Sequence, residues 1–142
     1  MATVAGSGSP LAEALRRVGD RWSLLVIDAL MGSPMRFNDL SRSVEGIAPN
    51  ILTDRLRRLE RAGVVAAEPY SERPLRYEYH LTEDGQELAG VVRLLATWGR
   101  GPDAGTEGLH HDACGTAIEA RWYCPTCASL VEQEEGSGLR YM

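Results

Sequence analysis

Pro49-Asn50-Ile51-Leu52-Thr53-Asp54-Arg55-Leu56-Arg57-Arg58-Leu59-Glu60-Arg61-Ala62-Gly63 is the stretch on which the fold turns. Leu52, Leu56 and Leu59 recur at i, i+4 and i+7, the spacing of one buried helix face. Pro49 suits a first helical position and Gly63 a terminator, so the pattern predicts a helix over about 49–62. At about 100° per residue, placing the leucines inward turns Asn50, Asp54, Arg57, Arg58 and Arg61 outward and leaves Thr53 at the edge.

Working outward, Gly46-Ile47-Ala48 is a turn, and a short helix carrying Phe37, Leu40 and Val44 precedes it. Gly32-Ser33-Pro34 is a stop signal. Asp20 is a good N-cap for a helix with Trp22, Leu25, Val26, Ala29 and Leu30 as its apolar stripe. Ser9 caps an earlier helix that begins at Pro10, carries Leu11, Ala14, Leu15 and Val18, and ends at Gly19. Beyond Gly63, Val64–Tyr70 and Arg76–Leu81 read as two strands around the turn Ser71-Glu72-Arg73-Pro74. Thr82 caps a last long helix striped by Leu88, Val91, Val92, Leu95 and Trp98, which Gly99-Arg100-Gly101-Pro102 breaks. The expected fold is mainly α with a small β-hairpin wing, a winged helix-turn-helix.

That arrangement assigns chemistry. A helix fits the major groove, where Arg forks guanine and Asn forks adenine. The first turns of a recognition helix normally do the reading, which favours Asn50, Thr53 and Arg57 as base or phosphate contacts; Arg58 and Arg61 fall further along, toward phosphate or solvent. Asp54 repels phosphate and is expected either to pair with Arg58 or to read a cytosine. Arg73 and Arg76 lie at or beside the hairpin tip, where a wing meets the flanking backbone. The candidate DNA-contacting set is Arg36, Pro49, Asn50, Thr53, Asp54, Arg57, Arg58, Arg73 and Arg76. An Arg-rich helix face taken alone is more often simply solvated; the wing is what tips the reading toward DNA.

Charge first looks unfavourable for that role. The 142 residues carry a formal net charge of -5, with 44% hydrophobic and 25% charged residues. The distribution resolves this. Residues 1–35 hold three arginines and three acids, residues 36–82 eight and seven, and residues 83–142 four and ten. The acidity lies beyond the hairpin. All 15 basic residues are Arg, the better fork for phosphate and guanine. The composition excludes a chain disordered throughout. No apolar run approaches the roughly 20 residues of a membrane span, and the first residues lack the basic and apolar regions of a signal peptide. A cytoplasmic protein is expected.

Residues 10–99 resemble the HxlR family of bacterial winged-helix regulators, relatives of the MarR-type proteins. The resemblance is carried by Gly19-Asp20-Arg21-Trp22-Ser23-Leu24-Leu25, Arg36-Phe37-Asn38-Asp39-Leu40 and Leu52-Thr53-Asp54-Arg55-Leu56-Arg57-Arg58-Leu59-Glu60. It continues through Gly63-Val64-Val65, Tyr70, Pro74, Arg76-Tyr77-Glu78-Tyr79-His80-Leu81-Thr82, Gly85 and Trp98. It implies a homodimer, paired through the first and last helices of the core, that binds operator DNA and regulates a neighbouring gene, with repression the leading expectation. The stripes Leu11/Leu15/Val18 and Leu88/Val92/Leu95/Trp98 are candidates for that interface, and for intramolecular core. A small-molecule effector is a further partner to expect. Thiol-sensing members carry a cysteine just before the first helix, followed by Pro. Ser9 stands there in this chain, so a thiol switch at that position is excluded.

All three cysteines lie beyond the core, in the pattern His111-x2-Cys114-x9-Cys124-x2-Cys127. Two-residue gaps let paired side chains meet one ion, and a Cys₃His set suits structural zinc. The central gap is shorter than the roughly 15–20 residues usual between such pairs. A segment this small has almost no core and would need a metal to fold. The expectation is a small zinc-ribbon-like C-terminal segment with His111, Cys114, Cys124 and Cys127 as its ligands.

The resulting domain plan is a flexible N-terminus over 1–9, a DNA-binding and dimerisation domain over 10–100, and a linker over 101–109. The Cys/His segment follows over 110–131, then a flexible tail over 132–142. The leading function is a sequence-specific DNA-binding regulator without catalysis. Two alternatives are a small thiol- or metal-dependent redox protein using Cys114, Cys124 and Cys127, and a winged-helix protein-interaction adaptor. No thioredoxin-like strand and helix precede the cysteine pair, which weighs against the first alternative.

Overall fold

The computed structural model describes residues 8–101, 108–132 and 139. The expected flexible N-terminus, linker and tail lie largely outside these residues. The chain divides into two compact units, Met1–Val92 and Arg93–Met142.

In the first unit, helix α1 (Pro10–Val18) starts as expected, with the Ser9 hydroxyl accepting from the Ala12 N–H at 3.1 Å. Asp20 caps α2 (Arg21–Leu30) and accepts from the N–H groups of Trp22 and Ser23. The short strand β1 (Met35–Arg36) leads into α3 (Phe37–Ser43), and a turn through Gly46 leads into α4 (Pro49–Arg61). Strands β2 (Val65–Glu72) and β3 (Leu75–Leu81) form the hairpin, and α5 (Glu83–Arg100) closes the core sequence.

Leu52, Leu56 and Leu59 of α4 are buried against Val26, Ile27, Leu30, Leu40 and Val64, so the stretch that decides the fold also fills its core. The face of α2 differs from expectation. Ser23, Val26, Ile27 and Leu30 point inward, while Leu25 is 40% exposed. The run Leu24-Leu25-Val26-Ile27 is apolar on every side, so periodicity alone does not select the buried edge. The Ser23 hydroxyl settles in the core by donating to Asp20 Oδ2 at 2.5 Å.

The wing is a three-stranded antiparallel sheet in the order β1-β3-β2, where the sequence predicts a two-stranded hairpin. Met35 pairs with Tyr79 and Arg36 with Glu78. Pro69 is tolerated because β2 is an edge strand and because the ladder slips between Pro69 and Ser71, leaving Tyr70 as the bulged residue. After the sheet, the Thr82 hydroxyl accepts from the Gly85 N–H and donates to the Gly63 carbonyl. Gly85 is itself buried under Val64; a Cβ there would stand 2.1 Å from the Val64 carbonyl oxygen.

The second unit contains the end of α5 and the antiparallel pair β4 (Trp122–Cys124) and β5 (Ser129–Val131). His110 and Ala117 form an isolated bridge. None of residues 108–132 is buried. Among the described residues, no helix is long and apolar enough to cross a membrane.

Candidate nucleic-acid interface

The α3–turn–α4 unit presents its second helix outward. Pro49, Asn50, Asp54, Arg57 and Arg61 are exposed, and Thr53 is half-buried with its hydroxyl donating to the Pro49 carbonyl at 3.0 Å. Ala48 has no side-chain acceptor to cap the helix, so the first-turn N–H groups of α4 are open at the same end as Asn50.

The opposite flank of α4 is anchored. Asp20 Oδ1 accepts from Arg55 Nε at 2.8 Å, and Asp20 Oδ2 lies 3.4 Å from the Arg58 guanidinium. Arg58 also donates to the Arg16 carbonyl at 2.7 Å. Partial burial alone would raise the Asp20 pKa. Hydrogen bonds from the Ser23 hydroxyl and N–H and from Arg55 outweigh it, and the carboxyl stays below its ordinary value. Arg58 is therefore turned toward the α1–α2 junction, away from the exposed face where the wheel placed it. The expected Asp54–Arg58 pair gives way to Asp54–Arg55 at 2.5 Å. Nothing local in the sequence signals the Asp20 link, which spans 35 positions.

Arg36 ends β1 and stacks over the ring of the bulged Tyr70, 4.3 Å from its centroid. Arg36, Arg42, Tyr70, Arg76 and Tyr77 line an open groove of about 510 Å³ beside the wing. Arg42, not singled out from the sequence, pairs with Asp39 at 2.5 Å. Arg73 is exposed beside Pro74 at the hairpin tip, and Arg76 follows on β3. A second groove of about 460 Å³ runs past Thr53, Arg57, Glu60, Tyr77 and Tyr79. Burial, with Glu60 nearby, raises the Tyr79 phenol above its usual pKa, so it remains a neutral hydrogen-bonding group.

Apolar surface remains on the outer helices. Leu11 and Leu15 of α1 are more than half exposed, and Trp98 of α5 is 83% exposed, as Val91, Leu94 and Leu95 are in part. Val18 and Val92, from the same expected stripes, belong to the core.

The four expected zinc ligands fall on two turns. His111 Nδ1 lies 3.4 Å from Cys114 Sγ. Cys124 and Cys127 share the turn between β4 and β5, and all three thiols are free. The Thr116 hydroxyl and N–H lower the Cys114 pKa. The N–H and thiol of Cys127, with the Thr126 N–H, do the same for Cys124. Among the described residues, no three His, Cys, Asp or Glu side chains converge closely enough to hold a metal ion. The assembled zinc-ribbon-like site expected from the spacing is thus not supported. The first turn is held by its own backbone bonds and the second by the β4–β5 pairing, and this stretch buries no side chain that would draw the two together.

Comparison with known proteins agrees with this architecture. Residues 17–103 match the HxlR-like helix-turn-helix family. An uncharacterized HTH-type transcriptional regulator of Mycobacterium tuberculosis is 34% identical, covering 94% of this chain and 89% of its own. A match of that extent runs through residues 110–131. A solved candidate transcription factor from Pseudomonas aeruginosa superposes with a TM-score of 0.65 at 34% identity, covering 89% of this chain and 88% of its own. The redox regulator HypR in its oxidized form gives 0.61 at 33% identity, covering 64% and 94%.

Proposed function

The chain belongs to the HxlR-like helix-turn-helix family and is an HTH-type transcriptional regulator, and from that premise we propose that it binds operator DNA as a homodimer and acts as a repressor. The observation that carries this reading is one surface of the first unit. There the groove past Thr53 and Arg57 of α4 shares Phe37, Tyr77 and Tyr79 with the groove carrying Arg36, Arg42 and Arg76.

In this reading Asn50, Thr53 and Arg57 meet base edges in the major groove. Pro49 stands at the entry of the helix, where open N–H groups donate to a phosphate. Arg36, Arg73 and Arg76 hold the flanking backbone, and Asp54 disfavours a phosphate at its own position. Arg58, held by Asp20 and the Arg16 carbonyl, positions α4 and does not read. Exposed apolar residues of α1, Leu11 and Leu15, and separately those of α5, among them Trp98, are each offered for pairing with a second copy. A dimer seated on an operator excludes other proteins from that DNA with no further device, which favours repression.

Fluorescence anisotropy against the DNA upstream of its own gene and a scrambled duplex, at two salt concentrations, tests the reading. Tight binding that prefers the upstream DNA and falls steeply with salt is expected. Absence of binding to either duplex at low salt would overturn it.

A further inference from the structure

The turns at His111–Gly115 and Cys124–Ala128 share a construction that the regulator reading leaves unused. Each holds two sulfur or imidazole donors three positions apart, and each is followed at once by a residue in the left-handed region, Gly115 at φ +69° and Ala128 at φ +51°. Ala128 is the one non-glycine residue with positive φ among the described residues. An alanine adopts that conformation at a cost of roughly 1–2 kcal/mol, so an ordinary turn would not select it.

One pair of donors already stands close. His111 Nδ1 and Cys114 Sγ are 3.4 Å apart. Bonds of about 2.3 Å to sulfur and 2.0–2.1 Å to nitrogen at a tetrahedral angle would separate those atoms by about 3.6 Å. Each turn closes a small antiparallel frame, the His110–Ala117 bridge in one case and β4–β5 in the other. Neither frame buries a side chain.

We propose that the two turns are preformed halves of one tetrahedral site for a borderline-soft divalent cation, zinc, and that the ion closes the segment by drawing His111 and Cys114 onto Cys124 and Cys127. Four protein ligands leave no open position, so the ion is structural. It supplies the cross-link that a core would otherwise supply. The M. tuberculosis relative, whose match runs through this segment, is the natural second protein in which to look.

The test uses the full chain, purified without chelator or affinity tag. Elemental analysis should give about one zinc per chain. The cobalt-substituted protein should show tetrahedral d–d bands and thiolate-to-metal charge transfer. Cys114→Ser and Cys127→Ser, from different turns, should each lose the metal; loss confined to one turn would overturn the shared site. Because those variants can unfold the segment, His111→Cys is the second arm. It should keep the metal and intensify the charge-transfer band as a fourth thiolate joins; an unchanged spectrum would remove His111 and refute the proposal. Protein that takes up no added zinc, with Cys124 and Cys127 recovered as free thiols or as a disulfide, would refute it too.

Discussion

Arg55 donates through Nε to Asp20 Oδ1 at 2.8 Å, and so the residue that caps α2 also holds α4 in place. Asp20 receives the α2 N–H groups, the buried Ser23 hydroxyl and two arginines of α4. Asp20→Ala should destabilise the fold by about 2 kcal/mol, through the lost cap and the unpaired guanidinium groups. Urea denaturation measures it. DNA affinity should fall with the folded fraction.

The same carboxyl gives an acid limb to stability. Its folded pKa lies below its unfolded value. Its contribution is therefore complete above the ordinary carboxylate range and is lost as pH falls through the folded pKa. Asp20→Asn should flatten part of that limb, with little change of slope near neutrality. A wild-type and variant pair with superimposable stability–pH curves would contradict this assignment.

Arg57 and Arg58 are adjacent in sequence and predicted to fail differently. Arg57→Ala should weaken operator binding by roughly 1–3 kcal/mol and leave the melting curve nearly unchanged. Arg58→Ala should lower stability, by about 1 kcal/mol, while preserving operator preference in the folded protein. Paired anisotropy and denaturation experiments separate the two roles; the reverse pattern would exchange them.

Arg76, in the groove beside the wing, should act on phosphate. Arg76→Ala should weaken upstream and scrambled DNA alike and reduce the salt slope by about 1. An unaltered slope would place it away from the backbone.

Gly85→Ala should cost about 3 kcal/mol, because the added carbon meets a backbone carbonyl and not a yielding side chain. Thermal unfolding is the readout.

Leu15→Glu and Trp98→Glu should each weaken self-association by at least about 2 kcal/mol if these exposed side chains form the pairing surface. Sedimentation across a concentration series would show the dimer dissociating. A wild-type monomer at all concentrations would refute the homodimer itself.

Much of this was legible in the residues, and the gaps have physical causes. Caps at Ser9, Asp20 and Thr82 are local chemistry and stand where the sequence puts them. The leucine spacing of α4 finds its core face without ambiguity, because beyond Pro49 and Ile51 in the first turn its other residues are polar. In α2 the apolar run surrounds the helix, so Ile27 and Leu25 exchange roles. Strand β1 has only two residues, too few for any periodicity, and exists because β3 offers it hydrogen bonds. The Asp20 link to Arg55 and Arg58 joins distant positions, which a helical wheel cannot see. The ligand spacing at His111, Cys114, Cys124 and Cys127 is visible in the chain, but whether two turns meet is a tertiary property.

The pairing of β1 with β3 bears on how DNA would be engaged. A wing free along its whole length would have to order when it meets a duplex, and binding would register that ordering as lost entropy and an added heat-capacity change. Here the root of the wing is fastened to the segment that leads into α3, so both probes of the duplex are rigidly gauged before any encounter. Such a caliper favours sequences whose intrinsic groove width already matches it and disfavours those that must be deformed to fit. Base pairs that no side chain touches would then contribute to operator choice.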